Sequence, residues 1–136
     1  MAGERELEIS VAEVVDFLRV TGRFLPAVRE VVERKLAVEA AKKGGHKVTT
    51  QELQKAADAF RLAAGLKKAS DTEAWLKSLG ITVESLEDYL ETNLLISKLK
   101  DALEGQAAPR KYLSSPVVKD AIRGMIYQEW LSKQMK

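Results

Sequence analysis

The chain has 136 residues, of which 46% are hydrophobic and 31% charged, a balance that is globular rather than disordered. It contains no cysteine and a single histidine, His46, which excludes disulfides, thiolate metal sites, cysteine nucleophiles and multi-histidine centres. A formal net charge of +2 is too even to demand nucleic acid as a partner. At this length about 65–70% of the unfolded surface can be buried, so one compact domain spanning 1–136 is expected.

Helical spacing of apolar residues runs through nearly the whole chain, strand alternation is absent, and the glycines and prolines fall mostly between periodic segments. The pattern predicts an all-α protein of about six helices. The first runs from about Val11 to Thr21, with Ser10 and Glu13 as a capping box and Val11, Val14, Val15 and Leu18 as its core-facing side. The second begins near Leu25-Pro26, carries Val28, Val31, Val32, Leu36, Ala37 and Ala40, and stops at Gly44-Gly45. Thr49 and Glu52 cap the third, whose apolar positions are Leu53, Ala56, Ala57, Phe60 and Ala64.

Ser70 with Glu73 predicts the start of a short fourth helix bearing Trp75, Leu76 and Leu79, with Gly80 as its stop. A long fifth helix starts after Thr82 and ends near Gly105, with Leu86, Tyr89, Leu90, Leu94, Ile96, Leu99 and Leu103 on its apolar side. Residues 105–114 read as a linker. Ser115-Pro116 then opens a last helix to about Gln134, within which Gly124 costs about 1 kcal/mol relative to Ala unless close helix packing requires it.

The chemistry-bearing side chains are sparse. His46, in Gly44-Gly45-His46-Lys47, has no neighbouring carboxylate in sequence and reads as a solvated loop residue. Glu84, Glu87, Asp88 and Glu91 cluster early in the fifth helix, where the helix dipole explains them without a cation. From Gly105 onward basic residues exceed acidic ones by four, yet the aromatics there are scattered rather than set as stacking platforms, so the excess reads as a solvated face. No catalytic residue, metal ligand or cofactor site is therefore expected, and the protein is read as a non-enzyme.

Phe24, Phe60, Trp75, Met125, Tyr127 and Trp130 form the candidate peptide-binding set. Core packing is the competing account, strongest for Phe60, whereas tryptophan and methionine suit adaptable apolar contact. The N-terminus lacks a basic stretch followed by an apolar one, and no apolar run reaches the roughly 20 residues of a membrane helix. A cytoplasmic protein without membrane insertion is expected.

The order Val48-Thr49-Thr50-Gln51-Glu52-Leu53, Phe60-Arg61, Trp75-Leu76, Gly80-Ile81-Thr82 and the long helix Leu86–Leu103 resembles the SurA-like N-terminal chaperone domain, of the trigger factor/SurA peptide-binding superfamily. That domain precedes parvulin-type peptidyl-prolyl isomerase modules. The resemblance covers residues 10–104 and implies a helical chaperone that binds unfolded or precursor polypeptides in peptide maturation or export. The sequence departs from the pattern after the long helix, where some 32 residues leave no room for a parvulin domain. The helix at 115–134 then takes the place of the C-terminal helix that closes such bundles. Two alternatives stay open: a peptidyl-prolyl isomerase-related protein, enzyme or remnant, and a dimeric scaffold module that swaps its last helix.

Overall fold

The computed structural model describes residues 8–107 and 116–135. Six α-helices are found among them and no strand: α1 (Val11–Val20), α2 (Phe24–Lys43), α3 (Thr50–Ala63), α4 (Ala69–Leu79), α5 (Val83–Ala107) and α6 (Pro116–Gln134). The chain is all-α, as the apolar spacing predicts. It forms two compact units, Met1–Glu33 and Arg34–Lys136, whose boundary falls inside α2.

Local chemistry explains most of the boundaries. Thr49 and Glu52 make the full capping box: the Glu52 amide donates to Thr49 Oγ1 at 3.1 Å, and the Thr49 amide donates to Glu52 Oε1 at 2.9 Å. At α1 the box is half formed. Ser10 Oγ accepts from the Glu13 amide at 3.1 Å, but the Glu13 carboxylate takes the Ser10 hydroxyl instead of its amide. Helix α4 departs from expectation, because it begins at Ala69 with Lys68 as N-cap, and Asp71 accepts from the Lys68 amide at 3.2 Å. Asp71 is a carboxylate at the N3 position of that earlier start, so it captures the cap and leaves Ser70 inside the first turn. Gly80 closes α4 at φ +70°, a left-handed conformation that side chains resist.

Helix α5 continues to Ala107, so Gly105 lies inside a helix rather than in a linker. The rest of the expected linker and its Ser115 cap lie outside the described residues.

The C-terminal unit is built on α5. Leu86 and Leu90 join Leu76 of α4 in one buried cluster, with Leu53, Ala56, Ala57 and Phe60 of α3 and Trp75 packed against it. Leu95, Ile96 and Leu99 join Ala37 and Ala41 of α2 and Tyr127 and Leu131 of α6 in another. At about 100° per residue, Leu95 projects from α5 half a turn away from Leu86. The first and second halves of α5 therefore bury opposite sides. This corrects the single apolar side expected above: Leu95 belongs to the core, whereas Tyr89 is exposed, with the Arg34 guanidinium 5.0 Å from its ring centroid.

Ala37 and Ala41, both fully buried and one helical turn apart, are the side that α2 gives to this cluster. Helix α6 is tied to α5 by Arg123, which donates to the Ser97 carbonyl at 2.9 Å and pairs with Asp101 at 2.9 Å. Lys100 Nζ lies 4.7 Å from the centroid of Tyr127.

The N-terminal unit holds α1 and the first part of α2. Here the structure overturns the expected burial. Val11 and Val14 are exposed, and Val15 and Leu18 only half-buried, so α1 has no fully buried residue. In α2, Val28, Val31 and Val32 are exposed as well. A unit of some 30 residues has too little chain to wrap both sides of two amphipathic helices.

Two stability predictions follow from the packing. Leu95 is 2% exposed at the centre of its cluster, so Leu95→Ala should cost about 2–5 kcal/mol in urea denaturation. Gly124 lies within α6, and a Cβ added there meets no atom within 4 Å, so helix packing does not require the glycine. Gly124→Ala should stabilise by up to about 1 kcal/mol in the same measurement.

Candidate functional site

The structure divides the six candidate peptide-binding residues among separate surroundings rather than along one groove. Phe60 and Trp75 pack against each other, ring centroids 5.4 Å apart and planes tilted by 60°, on the cluster of Leu76, Leu86 and Leu90. This tilt approaches the edge-to-face geometry that aromatic quadrupoles favour. Tyr127 and Trp130 stack at 6.3 Å with planes 16° apart, and Tyr127 is a core residue. Trp130 is half-buried and lines an open groove of about 280 Å³ with Leu103, Gln106, Ile126, Glu129 and Lys133. Met125 is 70% exposed and is not among the residues that line it. Phe24 belongs to the N-terminal unit, its ring covered by the Arg19 guanidinium at 4.6 Å.

The largest concentration of uncovered apolar side chains lies in the N-terminal unit and includes Val11, Val14, Val28, Val31 and Val32 of the expected apolar faces. Ile9, Val11, Val14, Phe17 and Val20 are exposed on and beside α1, and Leu25, Val28, Val31 and Val32 on α2. Val11 and Val20 are 80% and 88% exposed, and Leu25 74%. Leu25, Val28 and Val32 follow i, i+3, i+7 spacing and so share one side of α2. Scattered surface hydrophobes are ordinary, but nine large ones exposed within 24 residues is a dense concentration. Arginines flank it: Arg23 lies 5.1 Å from the Phe17 ring centroid, and Arg19 stands over Phe24. The hydrophobic periodicity that revealed these helices could also have revealed this surface, had the shortness of the unit been weighed against it.

A different kind of site lies in the C-terminal unit, where the turn after α2 meets α5. A cavity of about 440 Å³ is lined by Lys42, Gly45, His46, Lys47, Val48, Glu91 and Leu95. Its wall at 47–49 is held by one ammonium: Lys98 Nζ donates to the Lys47 carbonyl at 2.5 Å and to Glu52 Oε1 at 2.9 Å. The same Glu52 oxygen accepts the Thr49 amide, so turn, helix cap and α5 converge on one carboxylate. Among the described residues no three or more of His, Asp and Glu are grouped so as to hold a metal, and no helix is long and apolar enough to cross a membrane. Comparison with protein-family models, curated proteins and solved structures found no match.

The Lys98 clamp makes a prediction about acid. The hydrogen bond from Lys98, then that from the Thr49 amide, holds the Glu52 carboxyl at about 2, below its ordinary 4.5. A carboxyl lowered on folding contributes its full stability above its unfolded pKa and loses it as pH falls from about 4.5 through about 2. Glu52→Gln should therefore flatten the dependence of stability on pH in that window, read by urea midpoints from pH 5 downward. Equal slopes in the two proteins would show that the clamp does not form.

Proposed function

We propose that the chain is a non-catalytic, chaperone-like polypeptide-binding module whose client docks on the apolar surface of the N-terminal unit. The observation that carries this reading is the exposure of nine large hydrophobic residues between Ile9 and Val32. Polypeptide is the partner whose chemistry fits. An unfolded or precursor chain offers apolar side chains at irregular spacing, and an open pair of helices accepts them without demanding one shape. The flanking Arg19 and Arg23 add donors that pair with a client's carbonyls or carboxylates. The resemblance of residues 10–104 to SurA-like domains supports the same class of function and suggests clients in peptide maturation or export. A two-helix unit of this size also lacks a core large enough to stand without further contacts, and a bound client supplies them.

The test is fluorescence anisotropy with a labelled, unfolded apolar polypeptide. Combined Val11→Ser, Val20→Ser and Leu25→Ser substitutions should weaken binding at least tenfold, about 1.4 kcal/mol. The melting of the C-terminal unit should stay unchanged. Unaltered affinity, or no binding at millimolar concentration, would remove the proposal. Light scattering of the free protein reports the dimeric alternative, and a protease-coupled assay of proline isomerisation reports the enzymatic one.

A further inference from the structure

The cavity between the turn after α2 and α5 has the volume of a small-ligand site, about 440 Å³. Neither Lys42, His46 and Lys47 nor the Glu91 carboxylate makes a side-chain hydrogen bond or ion pair among the described residues. Surface lysines are often unpaired, but His46 and Glu91 are half-buried. A carboxylate partly removed from water without a donor is costly, and the cost is relieved when a ligand brings one. Val48, half-buried, supplies an apolar wall beside these groups, with only an edge of the 2%-exposed Leu95 behind it. The wall is rigid, because Val48 packs on the core cluster that contains Leu95, and Lys98 fixes the carbonyl of Lys47.

The three features define one ligand chemistry. Two ammonium groups call for an anion, Glu91 calls for an N–H donor, and the apolar wall calls for an aliphatic side chain. An α-amino or α-acylamino carboxylate carries all three on adjacent atoms. We propose that this cavity binds an apolar α-amino carboxylate. Its carboxylate meets Lys42 and Lys47, its N–H meets Glu91, and its side chain rests on Val48. Phosphate satisfies only the lysines and leaves Glu91 facing another anion. The ligand is either a free amino acid or the C-terminal residue of a peptide. This site is independent of the surface of the N-terminal unit, and its failure would leave the polypeptide-binding reading untouched.

His46 provides the readout. It is the chain's one histidine and it lines the cavity, so its imidazole resonances report occupancy without assignment of the whole spectrum. Leucine, an acetylated tetrapeptide ending in leucine, and the same peptide as its C-terminal amide are titrated in turn by NMR. Expected are saturable shifts of His46 with the first or the second, and at least tenfold weaker binding of the amide. The stronger of the two acids identifies the source as free amino acid or peptide end. Lys42→Met combined with Lys47→Met should weaken the acid at least tenfold, with a backbone spectrum that remains folded. Glu91→Gln should weaken free leucine, whose ammonium it pairs, more than the acetylated peptide. Equal binding of acid and amide, inorganic phosphate binding as tightly as leucine, or no His46 shift at millimolar ligand would overturn the assignment.

Discussion

The C-terminal unit depends on α5 burying opposite sides in its two halves. A helix with one apolar stripe can be the wall of one core. Helix α5 carries leucines at 86 and 90 on one side and at 95 and 99 half a turn away, so it is shared by two clusters. The neighbours follow from that division. Helices α3 and α4 cover the first half through Phe60, Trp75 and Leu76, and α2 and α6 cover the second through Ala37, Ala41, Tyr127 and Leu131. A substitution in the second half is thus felt by α2 and α6 together, because both lie against the same three α5 side chains.

The apolar clusters leave the connection between α2 and α3 to polar chemistry. Gly45 at φ +82° turns the chain after α2, and Val48 is drawn to the core beyond it. Lys98 then joins the turn's carbonyl to the carboxylate that caps α3. A charge-assisted bond in a half-buried setting is stronger than a neutral one, and this one orients three elements. The cavity beside it has its shape for the same reason, since four of its wall residues, Gly45, His46, Lys47 and Val48, lie in the clamped turn.

Much of this was legible in the sequence. Caps and glycines place the six helices to within a few residues, because these signals act through the local backbone. What periodicity does not state is what covers an apolar side. Val11, Val14, Val28 and Val32 have the spacing of a core-facing helix and are exposed, since burial depends on how much chain is available to pack on them. Tyr127 has the amphipathic chemistry of a contact residue and is core, whereas Leu95, off the apolar side that spacing assigns to Leu94, is among the most buried residues. Ser70 lost the cap to Asp71 by one residue of helix register. The cavity was the least legible feature. His46 and Glu91 are 45 positions apart in the chain, and only the turn after α2 brings them to one wall each of the same space.

The two units put apolar surface to different uses, and the difference is one of chain length. In Arg34–Lys136 the leucines of α5 find partners on four other helices, and fewer large hydrophobics stay exposed, among them Leu79, Ile81 and Val83 around the α4–α5 turn. In Met1–Glu33 there is one short helix and part of another, so the same kind of side chain stays in water. Exposed aliphatic area is unfavourable in proportion to its extent, at about 25 cal/mol per Å². A unit with valines at 11 and 20 and leucine at 25 facing solvent is therefore less stable free than covered. Under the proposed function, binding and folding are linked there: a client that covers those residues also stabilises the helices that present them, and its affinity includes that gain.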